Sequence, residues 1–303
     1  KIIGVGGAGG NVVTHMAEEN LDQVETIICN TDVKALKRNK SHKKIELGKK
    51  LTRGMGAGAR PEVGEGAAEE SLAELSEAVE GANMVFIAAG MGGGTGTGAA
   101  PTIARLTRDK QILTVGIVTI PFSFEGTKRL ESGLAGVERL REYTDTLLVI
   151  PNDKLLDAST QSTSFLEAFH MVDMVLINAI RGITLLLSGV GDINVDFADV
   201  ETIMKGMGKA VIGRGVAKGK DRALNAVEDA LHGSLMEDTD IRGAKGILVH
   251  VSGPKDTSAF EIQEAMSLIE DMADEDVELI WGASFSDEAR DEVSMTVIAT
   301  GLS

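Results

Sequence analysis

The sequence predicts an α/β protein in which a Rossmann-type parallel sheet is joined by a long central helix to a second, α+β domain. Apolar strand-like runs alternate with amphipathic helical stretches over the first half of the chain, which favours a parallel sheet with helices on both faces. From Phe165 to about Leu187, apolar residues recur at three- and four-residue steps, as in one long helix. Beyond SGVGDIN (188–194), strands and helices follow in a different arrangement.

The first domain is predicted over residues 1–164, from short apolar runs separated by helical stretches. Strands are predicted at residues 1–5, 24–30, 84–90, 112–121 and 146–151. The fourth of these ends at Pro121, which cannot donate to a strand ladder. Helices are predicted at residues 11–19, 62–80, 99–108 and 125–141. The basic stretch KKIELGKKLTRG (43–54) is interpreted as a solvated loop or, alternatively, as a region with a weak role at an interface.

The central helix is predicted over residues 165–188 and the second domain over residues 189–303, with a loop at 189–199 at its start. Helices of the second domain are expected from about residue 197 and over residues 222–231 and 260–272. Its strands are expected at residues 210–216, 246–252, 277–282 and 294–300. This succession predicts a sheet with packed helices.

The composition excludes several classes of function. Charged residues make up 25% and hydrophobic residues 43% of the chain, as in a folded soluble protein. The net charge of −16 argues against a nucleic-acid partner, because little excess positive charge is present to release counterions. Cys29 is the single cysteine, so no internal disulfide can form. No apolar run approaches ~18 residues, and no signal peptide is visible, so we expect a cytoplasmic protein without membrane insertion.

A first glycine cluster, GVGGAGGN (Gly4–Asn11), lies between a predicted strand and a predicted helix. Gly4, Gly6 and Gly9 satisfy the G-x-G-x-x-G spacing of dinucleotide-binding folds, and Asp32 follows near the position of their ribose-binding acid. The same spacing arises by chance in glycine-rich chains, where it marks a tight strand-to-helix turn. A dinucleotide-dependent oxidoreductase is therefore one hypothesis.

A second cluster, GMGGGTGTGAAP (90–101), follows the strand predicted at residues 84–90. Its glycines let the backbone turn several N–H groups toward one anion, and Thr95 and Thr97 add hydroxyl donors. A helix predicted from Ala99 points the positive end of its dipole the same way. The cluster lacks the Lys and Ser/Thr of the Walker loop, which excludes a P-loop NTPase. Both clusters follow strands, where ligands of parallel sheets bind, and together they predict a phosphate site.

Four motifs, in the order GVGGAGGN, GMGGGTGTGAAP, TIPFSFEG and NVDFADV, resemble FtsZ, the tubulin-like prokaryotic cell-division GTPase family. The resemblance covers essentially the whole chain. GGGTGTG is typical of the tubulin and FtsZ superfamily, and the last two motifs distinguish FtsZ from tubulin. The runs VSGP (251–254) and IWGA (280–283) favour an archaeal member. The resemblance implies a tubulin/FtsZ-like fold and the hydrolysis of GTP to GDP and phosphate.

The resemblance further implies that both glycine clusters bind GTP or GDP. The residues implied there are Gly6, Gly7, Ala8, Gly9, Gly10, Asn11, Gly92, Gly93, Gly94, Thr95, Gly96 and Thr97. Asn30, after the second strand, matches a position that faces the pocket in relatives. Mg²⁺ is expected to be held chiefly by phosphates and water, as this hard ion prefers, without a dedicated protein site.

Phe169 and Asp173 lie four residues apart on one face of the long helix. A carboxylate in a mostly apolar stripe either reaches solvent at the edge or accepts the two adjacent N–H donors of guanine. In FtsZ the matching positions stack on guanine and read it. Glu125 and Arg129 have the spacing of an i,i+4 ion pair, and the family places the Glu on the ribose hydroxyls and the Arg nearby on the nucleotide.

Asp196 and Asp199 in NVDFADV have the pattern of a helix start, where acids can cap the helix and complement its dipole. The long helix has about 22 residues, or roughly 33 Å, between Phe165 and this loop, so the acids should not reach the γ-phosphate of their own chain. The resemblance implies that both acids, supported by Asn194, polarise the attacking water on the nucleotide of the next subunit. Head-to-tail contacts that do not close generate filaments.

The resemblance also implies partners and a place in the cell. The chain would bind itself in a head-to-tail homopolymer at the mid-cell division site. Members of the family bind membrane tether proteins through a flexible tail, and because the sequence ends at Ser303, we expect tethering to need residues beyond it. A superfamily filament protein of shape control or plasmid partition has the same chemistry and remains an alternative.

Overall fold

The structure, a computed structural model, divides into two compact units, residues 1–177 and residues 178–303. It describes residues 1–18, 24–157, 162–189, 191–233, 235–236 and 241–302. The division falls inside the long helix, which therefore contributes residues to both units. The domain boundaries that the sequence predicts at residues 164 and 188 stay a prediction.

A parallel sheet forms the centre of the first unit. Its strands are β1 (Ile2–Val5), β2 (Thr26–Asn30), β3 (Lys43–Glu46), β4 (Met84–Gly90), β5 (Leu113–Ile120) and β6 (Thr146–Pro151). They lie in the order β3-β2-β1-β4-β5-β6, and neighbouring strands are parallel. Every residue of β1 and β2 is buried, which explains why these strands are continuous apolar runs in the sequence.

Helices connect these strands. They are α1 (Gly6–Glu18), α2 (Val33–Arg38), α3 (Lys49–Thr52), α4 (Pro61–Glu70), α5 (Leu72–Ala78), α6 (Thr95–Asp109), α7 (Thr127–Arg141), α8 (Asn152–Asp157) and α9 (Phe165–Leu187), with a 3₁₀ turn at Ser123–Glu125. The end of the first predicted helix, Glu19, lies outside the described residues. The helix predicted at residues 62–80 is two helices, which meet at Ser71, where the hydroxyl accepts the Gly48 amide.

The prediction of a solvated loop at residues 43–54 is wrong. Lys43–Glu46 pairs with β2 as the edge strand β3, and α3 follows directly. Ile45 is fully buried in this strand, while Lys44 beside it is exposed. The many lysines of the stretch conceal this alternation in the sequence, because only one face of an edge strand needs apolar residues.

The second unit contains a mixed sheet, as expected for an α+β domain. Its strands are β7 (Gly208–Lys218), β8 (Gly246–Gly253), β9 (Glu278–Phe285) and β10 (Glu292–Leu302), and its helices are α10 (Phe197–Met204), α11 (Arg222–His232) and α12 (Ala259–Met272). The strand order is β7-β10-β8-β9, in which β8 and β9 are parallel and the other pairs antiparallel. Buried side chains of α11 and α12 share one apolar core with this sheet.

Helix α9 is long and apolar enough to cross a membrane by length and composition. This result comes from the mean hydropathy of the helix and not from one unbroken apolar run, since Asp173, Asn178 and Arg181 interrupt it. Half of its most apolar 18-residue window is buried within the protein, and Leu176 and Ile180 are fully buried. A core helix of a folded protein passes the same test, because its apolar side chains pack in the protein interior.

Candidate functional site

A cavity of about 240 Å³ opens where four parallel strands of the first unit end. Gly6 and Gly7 follow β1, Met91 follows β4, Pro121 follows β5 and Asn152 follows β6. The lining residues are Gly6, Gly7, Ala8, Gly90, Met91, Gly93, Gly94, Thr95, Gly96, Thr119, Pro121, Glu125, Arg129, Asn152, Phe169 and Val172. Ligands of parallel α/β sheets bind at this edge, so the cavity is the candidate site.

Both glycine clusters form the beginnings of helices that face the cavity. The two helices that the sequence pattern predicts from about Asn11 and from Ala99 are present, but both begin earlier than predicted. Helix α1 starts at Gly6 and α6 starts at Thr95, so part of each cluster is the first helical turn. The first N–H groups of a helix have no partner within the helix. Two such ends therefore offer free donors and positive dipole ends to an anion in the cavity.

The glycines of the clusters serve different purposes. A Cβ atom on Gly9 would collide with the Ala88 carbonyl oxygen of β4, so Gly9 allows α1 to pack closely against the sheet. Gly9 and Gly10 are buried and are not among the cavity-lining residues. Gly7 and Gly93 do line the cavity, and a Cβ on either would have no described heavy atom within 4 Å. These two positions leave space for a ligand beside the backbone.

Thr97 and Gly92 stabilise the second cluster from within. The Gly92 amide donates to the Thr97 hydroxyl at 2.8 Å, and the Thr97 side chain is buried. Neither residue lines the cavity in the part of the chain that the structure describes. The role of Thr97 as a hydroxyl donor to the anion stays a prediction, because its hydroxyl accepts the Gly92 amide and keeps its own proton to donate. Thr95 does line the cavity, and its hydroxyl lies 2.7 Å from that of the buried Thr31.

Phe169 and Asp173 lie on α9 beside the first cluster. Phe169 lines the cavity, and the Asn11 amide donates to Asp173 Oδ2 at 3.4 Å. Burial raises the pKa of Asp173 above its usual value, although the Asn11 hydrogen bond and the nearby His15 and His170 oppose this shift. The structure thus brings Asn11 to Asp173, although the two residues are 162 positions apart in the sequence.

Glu125 and Arg129 both line the cavity, and they form the predicted ion pair. Arg129 Nε lies 3.2 Å from Glu125 Oε2, and the other oxygen of Glu125 accepts the Phe122 amide at 2.9 Å. The side chain of Glu125 is 12% exposed and that of Arg129 is 53% exposed. These contacts hold the carboxylate in one orientation at the cavity wall.

Asn30 and Asp32 serve the local backbone. Asn30 is buried, and its Oδ1 accepts the Asp32 amide at 3.2 Å. It is not one of the described residues that line the cavity. Asp32 caps α2, where its carboxylate accepts the amides of Lys34 and Ala35. Both amides reach the same oxygen, Oδ1, and Asp32 is not among the residues that line the cavity within the described chain.

Asn152 is a cavity residue that the sequence reasoning missed. It follows β6 directly, is 4% exposed, and its Oδ1 has no hydrogen-bond partner among the described residues. A buried polar atom without a partner is costly, so this oxygen is available to a ligand donor. The signal in the sequence is an Asn at the end of an apolar strand, in the run VIPND.

The remaining predicted residues, Asn194, Asp196 and Asp199, belong to the second unit. Asp196 is the residue before α10 and Asp199 lies in its first turn. The Asp196 side chain makes no capping hydrogen bond, and both side chains are exposed without a hydrogen-bond or ion-pair partner among the described residues. The capping box that the pattern suggested is therefore absent from this part of the structure, and both carboxylates face solvent.

The loop before these acids is held by short hydrogen bonds within the second unit. The Asn194 amide donates to the Gly191 carbonyl at 2.7 Å and accepts the Gly191 N–H at 3.1 Å. Ile193 exchanges two backbone hydrogen bonds of 3.0 Å with Ala283 of β9. Val190, in the predicted loop 189–199, lies outside the described residues. Asn194 therefore orders the loop that carries the acids.

Together, the parallel sheet and the two glycine-rich helix ends define a protein that binds an anionic ligand at the strand ends. Residues 1–160 match the Tubulin/FtsZ family, GTPase domain, and residues 208–303 match the FtsZ family, C-terminal domain. The chain belongs to the Tubulin/FtsZ family. The predicted family and fold are confirmed.

Known relatives support this membership over nearly the whole chain. The cell division protein FtsZ of Magnetospirillum gryphiswaldense is 47% identical over 301 residues, which cover 99% of this chain and 54% of the relative. FtsZ of a Wolbachia species is 46% identical over 313 residues, covering 99% of this chain and 79% of that protein. The chain therefore spans about half the length of the first relative.

Among solved structures, an empty FtsZ dimer from M. jannaschii superposes with a TM-score of 0.95 at 43% identity. The match covers 99% of this chain and 87% of that chain. The expectation of an archaeal member stays a prediction.

Proposed function

We propose that this chain is a GTPase that assembles head to tail into a cell-division filament and hydrolyses GTP between subunits. The observation that carries the proposal is the composition of one cavity. Two helix N-termini, an aromatic ring and an unpartnered buried acceptor line it together, and an acidic side chain lies beside Phe169 on α9. An anion, a flat base and its N–H donors are the three parts of a guanine nucleotide that such groups would bind.

Guanine would be read by two acceptors. Its Watson–Crick edge presents adjacent N–H groups, and the Asp173 carboxylate can accept both when it is ionised. Asn152 Oδ1 is a second acceptor that lacks a partner among the described residues. Phe169 would stack on the base. Adenine presents an acceptor at the matching edge and would be repelled by Asp173.

The phosphates would lie against the first turns of α1 and α6. Gly6, Gly7, Ala8 and the segment Gly93–Gly96 line the cavity there. Their backbone amides can hold phosphate charge without a lysine. Glu125 and Arg129 would contact the ribose side of the nucleotide, as in the family.

Mg²⁺, when bound, would neutralise part of the phosphate charge. Among the described residues, no group of three or more His, Cys, Asp or Glu side chains is placed to hold a metal ion. The ligands of the ion would then be phosphate oxygens and water, which suits its octahedral preference.

Hydrolysis would use Asp196 and Asp199 of a neighbouring subunit. Both carboxylates are exposed, and no described side chain neutralises them, so they are available to orient and polarise a water at an interface. Asn194 would support them by holding the loop through Gly191. The partner is a second copy of the chain, in a heterologous contact that continues as a filament.

In the cell, the filament would act in the cytoplasm at the mid-cell division site. Tether proteins would attach it to the membrane through a tail like that of the family. The names of the curated relatives support the division role, since both are cell division proteins.

Sedimentation with GTP, GDP and a non-hydrolysable GTP analogue, paired with phosphate release, tests this function. Polymer should sediment with GTP and the analogue, and phosphate should appear with GTP alone. Turnover per subunit should rise steeply above a threshold protein concentration, because the site is completed by a neighbour. Turnover per subunit that does not change with concentration would mean that one chain holds the whole site.

A further inference from the structure

Four phenylalanine side chains form a closed ring beside the cavity. Phe122 stacks on Phe124 with ring centroids 4.8 Å apart, and Phe124 lies 5.8 Å from Phe165. Phe165 lies 4.9 Å from Phe169. Phe169 meets Phe122 edge-on at 5.2 Å, which completes the ring. All four separations lie within the range in which aromatic rings attract one another.

The ring joins two elements of the first unit. Phe122 and Phe124 belong to the turn before α7, and the Phe122 amide donates to the cavity residue Glu125. Phe165 and Phe169 lie in the first two turns of α9. The ring therefore connects the turn proposed to bind ribose with the helix proposed to bind guanine.

Two members of the ring are exposed. Phe165 is 63% exposed and Phe124 is 54% exposed, whereas Phe122 is fully buried. Of the four rings, only that of Phe169 lines the cavity within the described residues. Exposed aromatic pairs contribute little to a core, so the geometry suggests a role at the cavity mouth. Phe165 contacts Phe169 directly and Phe124 contacts Phe165, so both can act on the cavity through the Phe169 ring.

We propose that Phe165 and Phe124 are positioning residues that hold Phe169 in its base-stacking orientation and so slow nucleotide release. This inference rests on the proposed function, which places guanine on Phe169. Without Phe165, the edge contact with Phe122 is the one ring–ring contact that Phe169 keeps among the described residues, and its ring gains rotational freedom. That freedom must be lost again when the base binds, which weakens binding.

Stopped-flow release of a fluorescent GDP derivative from the full chain tests the inference. Phe165→Ala should release the nucleotide about threefold to tenfold faster than the wild type, as expected for one aromatic pair. Phe165→Leu should lie closer to the wild type, because it keeps an apolar contact with Phe169. The melting temperature without nucleotide should change little, since Phe165 is largely exposed.

Phe260→Ala is the matched control, because Phe260 is an equally large side chain, 78% exposed, on α12 of the second unit. Its release rate should equal that of the wild type. Release from Phe165→Ala at the wild-type rate overturns the inference and leaves the proposed function intact. Equal acceleration in Phe260→Ala, or a large fall in the melting temperature of Phe165→Ala, overturns it too. Failure of the wild type to bind any guanine nucleotide instead overturns the proposed function.

Discussion

Asp173 is a partly buried carboxylate on α9 that accepts a hydrogen bond from the Asn11 side chain. We expect Asp173→Asn to lower the affinity for GTP about tenfold or more, because the carboxylate proposed to accept two base N–H groups becomes an amide with one acceptor oxygen and an NH₂ donor. The affinity for xanthosine triphosphate should fall less, because its base carries a carbonyl where guanine carries an amino group. The amide of the Asp173→Asn variant can donate to that carbonyl. Competition of both nucleotides against a fluorescent GTP derivative measures this change of preference.

Two controls accompany this measurement. Asp271→Asn removes an exposed carboxylate from α12 and should leave both affinities unchanged. Lowering the pH should weaken GTP binding to the wild type as Asp173 takes up a proton, and this should begin at a higher pH than for an ordinary Asp because burial raises its pKa. The affinity of Asp173→Asn should lack this component. A preference for GTP that survives the substitution would contradict the assignment of base recognition to Asp173.

At the scale of elements, two glycines in the first turn of α1 are expected to have different roles, one in packing and one in ligand binding. Gly9→Ala should lower the free energy of unfolding by about 1–3 kcal/mol, because the added Cβ meets the Ala88 carbonyl of β4. Gly7→Ala should fold as stably as the wild type but bind GTP more weakly, since its Cβ enters open space at the cavity. Urea unfolding and nucleotide titration separate the two effects. Equal losses of stability in both variants would show that Gly7 is also a packing residue.

At the scale of the whole molecule, a variant of Asp199 and a variant of Asp173 should restore activity to each other when they are mixed. We expect Asp199→Ala to bind GTP and form filaments with little turnover. We expect Asp173→Asn to bind GTP poorly while Asp196 and Asp199 stay intact. A mixture of the two should release phosphate faster than the sum of the separate proteins, because a bound GTP on one chain meets intact acids on the next. Phosphate release equal to that sum would place the acids on their own nucleotide.

Much of the fold could be predicted from local patterns. The buried strands of the first unit are continuous apolar runs, and α9 shows a clear helical period. The edge strand β3 and the helix starts at Gly6 and Thr95 were not predicted. Glycine and threonine have low helix propensity, so these turns form only because the helices pack against the sheet at close range.

In the candidate site, too, some features follow from local sequence motifs and others from tertiary contacts. The sequence by itself determined the family, and it identified the two glycine clusters and the acidic pair Asp196 and Asp199 as candidates, because each lies in a short motif whose chemistry is local. Only the tertiary structure decided that Thr97 supports a loop, that Asn152 Oδ1 has no partner among the described residues, and that Asn11 contacts Asp173. These roles depend on contacts between residues far apart in the chain, and no local pattern encodes which distant group satisfies a buried hydrogen bond.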